Sequence, residues 1–254
     1  MENLKQRLAA GPVYGTFSKT SDPFFIEILG KTGFDFAILD CEHGPNDPRT
    51  LLPLILAARC GGLLPIVRVS SLSAPDLQRV LDLGVAGVQI PQIATREDAE
   101  QAVKAVRFHP SGERGVCRYV RAANYSLMEK PEYFAGQNAE VALIIHIEGA
   151  EGLRNLDAIL GVEGLDVIFI GPYDLSQSLG VPGEIQHPKV VAAVQEIAAK
   201  CRRAGAVAGI FTDSVEAARG WRDAGIGYLA HSVDVGLFAS ACRGAVAGLR
   251  SPRG

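Results

Sequence analysis

Long apolar runs are missing from this sequence. No stretch approaches the ~20 consecutive apolar residues that span a bilayer. The N-terminal segment MENLKQRLAAG also lacks the apolar core of a secretion signal. We therefore expect a cytoplasmic protein that does not act at a membrane.

An excess of basic charge is absent as well. The formal net charge is −3, and the arginines and lysines are scattered, so there is no basic stripe of the kind that binds nucleic acid. The five cysteines are widely spaced, and no C-x-x-C pair suggests a zinc or thiol-exchange site. These absences leave small molecules as the expected partners.

Short apolar runs are abundant, and they alternate with amphipathic stretches that have helical periodicity. Several of these stretches begin with Ser, Thr, Asp or Pro and end in Gly, as capped helices do. The predicted strands are residues 13–18, 36–40, 64–69, 87–91, 141–148, 165–171, 207–211 and 226–232.

The predicted strands are continuously apolar, which is typical of a parallel sheet covered on its faces. Eight strand–helix units in 254 residues favour a closed (β/α)8 barrel. The alternative is a doubly wound open sheet, but no Gly-rich phosphate turn follows the first strand. Because nothing resembles a linker, we predict one domain, residues 1–254, with long loops at residues 109–140 and 172–188.

Polar residues suited to catalysis stand at the carboxyl ends of the predicted strands. In a parallel barrel this edge carries the loops that bind substrate, so we predict that these residues share an active site. They are Glu42, His43, Arg68, Glu148 and Asp174.

Glu148 and Asp174 are the predicted metal ligands. Carboxylates at the ends of adjacent strands lie close together, and two like charges need a cation between them or a raised pKa. Two protein ligands leave several of ~6 coordination positions for water and substrate, which suits Mg²⁺ or Mn²⁺. The alternative is that both carboxylates cap the helices that follow them.

Arg68, His43 and Asp82 complete the predicted catalytic set. The fork of Arg68 matches a carboxylate or enolate oxygen, and the His43 imidazole can exchange a proton near neutral pH. Asp82, in VLDLGVAG, is a candidate to orient that ring. The alternatives are a capping or loop role for His43 and an exposed helical position for Asp82.

Six segments together resemble the metal-dependent 2-oxo acid aldolases of the HpcH/HpaI type, a citrate lyase-like family. The combination of D-x-E-H-G-P, I-E and G-P-x-D-L at these spacings is far more specific than any one fragment. The segments are GFDFAILDCEHGP, PIVRV, LDLGVAGVQIPQI, FHPSGERG, IIHIEGAEGLRNLDAIL and GLDVIFIGPYDLSQSLG.

The resemblance implies a (β/α)8 barrel that assembles as a hexamer or a trimer of dimers, with the last helix exchanged between neighbouring chains. The implied activity is reversible aldol addition of pyruvate to an aldehyde, with Mg²⁺, Mn²⁺ or Co²⁺ as the cofactor. Arg68 is similar to the arginine that steadies the pyruvate carbonyl and enolate. The other implied site residues are the metal ligands Glu148 and Asp174, the catalytic His43 with its partner Asp82, and Gly171 and Pro172, whose backbone holds the pyruvate carboxylate.

Three departures from the family pattern bear on the acceptor. His146 stands where relatives have a glutamine before the metal-binding glutamate, and Phe17 stands where tryptophan is common. The loop GVCRYVRAANYS carries Cys117 and Arg118 where relatives have small residues. Because Arg118 or Arg121 could meet a carboxylate of the acceptor, we predict Arg118 as a substrate-binding residue.

Three other functions stay open. The same metal–enolate chemistry would serve a citrate-synthase-like enzyme or an oxaloacetate decarboxylase, and the extra arginines favour a multiply carboxylated acceptor. A Schiff-base aldolase would need a desolvated lysine inside the barrel, for which Lys19 is the candidate. The third is a barrel without enzymatic activity that serves as a binding or assembly subunit. The presence of the full set of catalytic residues disfavours it.

Overall fold

Eight parallel strands close into a barrel in the computed structural model, which describes residues 2–251. The strands are β1 Val13–Ser18, β2 Phe36–Asp40, β3 Leu64–Arg68, β4 Gly87–Ile90, β5 Ala142–Ile147, β6 Val167–Ile170, β7 Val207–Thr212 and β8 Tyr228–Val233. Each strand pairs with its neighbours in sequence, and β8 returns to β1. The predicted barrel is confirmed, and the doubly wound open sheet is wrong.

Helices surround this barrel, and the predicted caps start several of them. The helices are α1 Leu4–Ala10, α2 Pro23–Lys31, α3 Pro48–Gly61, α4 Ala74–Asp82, α5 Arg96–Val106, α6 Lys130–Glu140, α7 Ala150–Arg154, α8 Leu156–Leu160, α9 Pro172–Ser178, α10 Pro188–Ala204, α11 Val215–Asp223 and α12 Asp234–Arg250, with a short 3-10 segment at Arg121–Ser126. The side chains of Asp22, Asp47, Thr95 and Ser214 accept backbone N–H bonds in the first turns of their helices.

The barrel interior is filled by aromatic and aliphatic side chains. The ring of Phe36 stacks on that of Tyr228 with 4.1 Å between centroids. A Cβ atom at Gly15 would overlap the Phe36 ring, so only glycine leaves room for it. The interior is therefore a packed core, and the space for a ligand lies at an edge of the barrel.

The two predicted long loops contain helices. Pro172 starts α9 within residues 172–188, and Pro131 lies in the first turn of α6 within residues 109–140. Residues 109–140 belong to the connection from the end of α5 to the start of β5. Because barrel helices run antiparallel to the strands, this connection lies at the amino edge of the barrel, away from the substrate-binding edge.

The buried carboxylate of Asp234 joins the end of β1 to the start of α12. Ser18 Oγ donates to it at 2.6 Å, and the backbone N–H groups of Lys19 and Thr20 donate at 3.0 and 3.1 Å. These bonds fix the backbone of the first βα loop where the barrel closes.

Beyond Asp234, α12 is largely exposed and carries apolar side chains such as Phe238 and Leu249 on its surface. Within residues 2–251, no helix is both long enough and apolar enough to cross a bilayer.

Candidate active site

Most of the predicted site residues meet at one cavity of about 270 Å³ at the carboxyl edge of the barrel. A second cavity of about 480 Å³ adjoins it and shares His43, Glu148 and Asp174. The first cavity is lined by His43, Arg68, Glu148, Gly171, Pro172 and Asp174, among others. The structure thus brings these six together: His43, Arg68, Glu148 and Asp174 were expected there from their strand-end positions, and Gly171 and Pro172 from the family resemblance.

Two carboxylates hold the Arg68 side chain in this site. Its Nε and Nη2 donate to the two oxygens of Asp40 at 2.9 and 2.8 Å, and its Nη1 lies 2.8 Å from Glu42 Oε2. Asp40 and Arg68 face each other because their strands pair in register at these positions. The guanidinium also lies 4.8 Å from the centre of the Phe17 ring, a cation–π distance.

The two carboxylates around Arg68 differ in their pKa shifts. Burial alone raises the pKa of Asp40, but the bond and charge of Arg68 outweigh it, so the pKa lies below its ordinary value. For Glu42 burial dominates over the charge of Arg68, and the nearby Glu148 adds to it, so the pKa is raised. Of the two carboxylates, Asp40 is therefore the permanent counter-ion of Arg68.

Glu148 ends a chain of buried hydrogen bonds that crosses the barrel. The Tyr228 hydroxyl donates to Gln89 Oε1 at 3.3 Å, and the Gln89 amide contacts His146 Nε2. If the amide donates there, the proton of His146 is on Nδ1, which then donates to Glu148 Oε2 at 2.9 Å. Both ring nitrogens of His146 are therefore engaged, and neither is free to bind a metal ion.

A backbone amide holds the other oxygen of Glu148. The N–H of Gln92 donates to Oε1 at 2.8 Å, and Gln92 adopts the left-handed conformation with φ of 60°, which is uncommon for a residue other than glycine. Burial raises the pKa of Glu148, but the His146 bond together with Gln92 and Arg68 outweighs it, so the pKa is lowered. Glu148 is thus held as a carboxylate.

Asp174 lies in the first turn of α9 and lines the same two cavities as Glu148. Its side chain is exposed and lines both cavities. A Cβ atom on Gly171 would lie 2.6 Å from Glu148 Oε2, so glycine lets β6 approach that carboxylate closely. Neither α7 nor α9 has a side-chain cap, so the structure does not support the capping alternative for the two acids.

Within one chain, Asp82 does not reach His43. Asp82 ends α4 at the amino edge of the barrel, and its Oδ1 accepts a bond from Arg114 at 2.9 Å. His43 is an exposed residue of the loop after β2, at the carboxyl edge. The predicted pair is not formed because a helix and the strand before it end at opposite edges.

Arg118 is also at the wrong edge for the predicted substrate contact. Its Nη2 donates to the carbonyls of Ser126 and Met128 at 3.2 and 2.7 Å, and Arg121 donates to Leu83 O at 3.0 Å. Both arginines belong to the connection between α5 and β5, whereas the prediction rested on their charge and on the departure of this loop from the family pattern. A single chain therefore does not bring Arg118 to the cavity.

Several residues of the cavity were not predicted. Tyr173 and Phe211 form part of its wall, and Lys19, considered only as a Schiff-base residue, lines it too. The Tyr173 hydroxyl donates to Asp213 at 2.6 Å, and this bond, with burial, raises the pKa of Tyr173 to about 12. The signal available in the sequence was their position at the carboxyl ends of strands: Lys19 follows β1, Tyr173 lies three residues after β6, and Phe211 is the second-last residue of β7.

The chain is similar to known proteins over nearly its whole length. The model of the HpcH/HpaI aldolase/citrate lyase family matches residues 13–241. A 5-keto-4-deoxy-D-glucarate aldolase from Shigella boydii is 38% identical over 239 residues, covering 94% of this chain and 92% of the relative.

The chain is also similar to solved structures over nearly its whole length. An HpcH/HpaI aldolase/citrate lyase family protein from Burkholderia cenocepacia J2315 has a TM-score of 0.93 at 36% identity, with 98% of this chain and 99% of that chain covered. The citrate synthase SbnG has a TM-score of 0.89 at 32% identity, with coverages of 98% and 97%.

The Asp40–Arg68 pair makes a testable contribution to stability. Asp40→Asn leaves a buried guanidinium without its main counter-ion, so we expect a loss of about 3 kcal/mol in the free energy of unfolding near neutral pH. Because the folded-state pKa of Asp40 lies below its ordinary 3.8, this contribution is complete above that value and is lost as the pH falls through the folded-state pKa. Urea unfolding of both proteins from about pH 7 to about pH 3 measures the difference.

The matched control is Asp76→Asn, which changes an exposed aspartate in a surface pair with Arg79. Its effect should stay small at every pH. An Asp40→Asn difference that is equally small, or that does not shrink in acid, would contradict the assignment.

Proposed function

The chain belongs to the HpcH/HpaI aldolase/citrate lyase family, and we propose that it catalyses reversible aldol addition of pyruvate to an aldehyde with a divalent metal ion. It is an enzyme that breaks and forms carbon–carbon bonds, and its substrates are small molecules. The observation that carries the pyruvate proposal is the presence of Glu148, Asp174 and Arg68 around one cavity.

The residues present fit a divalent ion held by Glu148 and Asp174. Glu148 is kept ionised and oriented by two hydrogen bonds, and each of its oxygens retains a second acceptor position. Residues 2–251 contain no cluster of three or more potential metal ligands, so the remaining positions would fall to water and substrate. Such an oxygen-rich, incomplete shell suits Mg²⁺ or Mn²⁺, with Co²⁺ as a further candidate. When bound, the ion supplies Lewis acidity that stabilises the enolate of a 2-oxo acid.

Arg68 is proposed to hold the 2-oxo oxygen of pyruvate. A guanidinium has five N–H bonds. Two hydrogen bonds to Asp40 use two of them and Nη1 also lies 2.8 Å from Glu42 Oε2, so N–H bonds remain for a substrate oxygen. Gly171 and Pro172 line the same cavity and are proposed to contact the pyruvate carboxylate through their backbone. These contacts fix the substrate before any proton moves.

His43 is proposed to move the proton. It lines both cavities and is exposed enough to exchange protons with water. In the addition direction it accepts the C3 proton of pyruvate through water, and in the cleavage direction it accepts the proton of the 4-hydroxyl group. For Asp82 to orient this ring, or for Arg118 to bind the acceptor, the residue would have to come from a neighbouring chain.

The organisation of the whole protein is also proposed. We take residues 1–254 as one barrel domain in a hexamer or a trimer of dimers, located in the cytoplasm. The apolar side chains that α12 exposes, including Phe238 and Leu249, support the exchange of this helix between chains.

A citrate-synthase-like or oxaloacetate decarboxylase activity is the second candidate. The similarity to the citrate synthase SbnG favours it. The arginines that suggested a multiply carboxylated acceptor no longer support it within one chain, since Arg121 binds Leu83 O and Arg118 binds the Ser126 and Met128 carbonyls.

The Schiff-base alternative is disfavoured by the surroundings of Lys19. The lysine of such an aldolase needs a desolvated, apolar pocket. The Lys19 side chain is 34% exposed, and its Nζ lies 4.0 Å from the Asp40 carboxylate.

Exchange of the pyruvate methyl protons in D₂O, followed by NMR, tests the proposed enolate chemistry without an acceptor. We expect exchange that EDTA abolishes and Mn²⁺ or Mg²⁺ restores. Glu148→Gln should slow it by more than about 100-fold, because replacing even a residue that only orients a metal ligand costs about 10- to 100-fold. Glu163→Gln, at an exposed position away from the cavities, is the control. Exchange that persists in EDTA or in Glu148→Gln would overturn the metal assignment.

A second experiment separates the two candidate functions. Incubation with oxaloacetate, with and without acetyl-CoA, is compared with pyruvate plus an aldehyde, and the products are identified by mass spectrometry. We expect the aldol adduct to form with the highest kcat/KM. Citrate as the most efficiently formed product, or pyruvate release from oxaloacetate as the fastest reaction, would favour the second candidate instead.

A further inference from the structure

Lys19 occupies a distinct place in the cavity. It is the first residue after β1, it is half-buried, and it lines the cavity together with Arg68, Phe17 and Tyr173. In the proposed reaction Arg68 is committed to pyruvate, and Glu148 and Asp174 to the ion. Among the described residues that line this cavity, Lys19 is then the cation that remains for the aldehyde, the second substrate.

The backbone at Lys19 does not depend on its side chain. Its N–H and that of Thr20 donate to the buried Asp234 carboxylate, and the neighbouring Ser18 hydroxyl donates to the same group at 2.6 Å. The hydrogen bonds to Asp234 therefore fix the backbone of this loop. A role for the ammonium group in shaping this loop is not needed.

Within residues 2–251 the ammonium group also has no acceptor at hydrogen-bond distance. Its Nζ lies 4.0 Å from Asp40 Oδ2, which is beyond hydrogen-bond distance. Asp40 is already occupied, because Oδ2 accepts from Arg68 at 2.8 Å, while Oδ1 accepts from Arg68 and from the backbone N–H groups of Glu42 and His43. An ammonium group has three N–H bonds to donate. The Asp40 contact leaves it available to an incoming anion.

The surroundings strengthen such an interaction. Phe17, Phe169 and Phe211 line the same cavity and lower the local exposure to water. A charge-assisted hydrogen bond gains strength where water is partly excluded. A neutral aldehyde would leave this cation with only its 4.0 Å contact to Asp40, beside an apolar wall.

We propose that Lys19 determines acceptor specificity by binding an anionic group, a carboxylate, of the aldehyde substrate. The inference rests on the proposed aldolase function and names the class of its second substrate: aldehydes that carry a carboxylate. Lys19 acts on the binding of the acceptor, and the enolate of pyruvate forms without it.

The test compares matched acceptors in wild type and in Lys19 variants, with pyruvate and Mn²⁺. Glyoxylate, malonic semialdehyde and succinic semialdehyde are each paired with an uncharged aldehyde of the same length: glycolaldehyde, propanal and butanal. In Lys19→Met the ratio of kcat/KM for the charged over the uncharged partner should fall about 10- to 100-fold, the worth of a hydrogen bond to a charged group. The change should lie mainly in KM for the carboxylated aldehyde.

Two further variants and a control complete the design. Lys19→Arg should restore most of the ratio, and Lys19→Glu should lower it further by repulsion. Lys31→Gln, which removes an exposed lysine at the end of α2, should leave the ratio unchanged. A solvated lysine without a ligand role predicts the same ratio in all of these proteins.

The outcomes separate this inference from the proposed function. Methyl proton exchange of pyruvate by the wild type, together with an unchanged acceptor ratio in Lys19→Met and Lys19→Glu, would overturn the role of Lys19 alone. Absence of metal-dependent exchange in the wild type would overturn the aldolase proposal, and the role of Lys19 with it.

Discussion

Two carboxylates hold a buried guanidinium at the edge of the barrel, and the rest of the site is arranged around that contact. Asp40 accepts two hydrogen bonds from Arg68 at the ends of paired strands, and the Glu42 carboxylate forms an ion pair with the same guanidinium. Burying these charges is costly unless each is paired. The pairing fixes the direction of the guanidinium, and with it the position at which a substrate oxygen can bind.

The opposite side of the site depends on a second buried carboxylate, held in a different way. Within residues 2–251 no arginine or lysine forms an ion pair with Glu148, and its two oxygens are held by His146 and by the amide of Gln92. His146 is in turn oriented by Gln89 and Tyr228 from the far side of the barrel. A carboxylate that no guanidinium grips keeps acceptor positions that a metal ion can use, whereas both oxygens of Asp40 already accept from Arg68. This difference between Asp40 and Glu148 is the physical basis for giving them different roles.

The sequence predicts a large part of this arrangement, and the reason lies in the strands. Continuous apolar runs mark them, and the first polar residues after each run mark the edge at which a barrel binds ligands, which placed His43, Arg68, Glu148 and Asp174. Contacts across the barrel were not visible in the same way. The Gln89–Tyr228 bond joins residues 139 positions apart and follows from strand register, which local patterns do not encode.

Two predicted site residues lie away from the cavity within one chain, and one feature of the fold explains both. Asp82 and Arg118 were placed by motif and by charge, without regard to the direction of the chain. A helix that follows a strand ends at the opposite edge of the barrel, so both residues lie there. Lys19 shows the converse: it stands directly after a strand, and its position at the cavity follows from that alone.

The most direct measurement is a crystal structure of the protein grown with Mn²⁺ and pyruvate, with an anomalous difference map recorded at the manganese edge. We expect one strong peak that contacts the carboxylates of both Glu148 and Asp174, with the pyruvate oxygens bound to it and to Arg68. A peak elsewhere, or a fully loaded crystal in which the two carboxylates bind no ion, would contradict the proposed site.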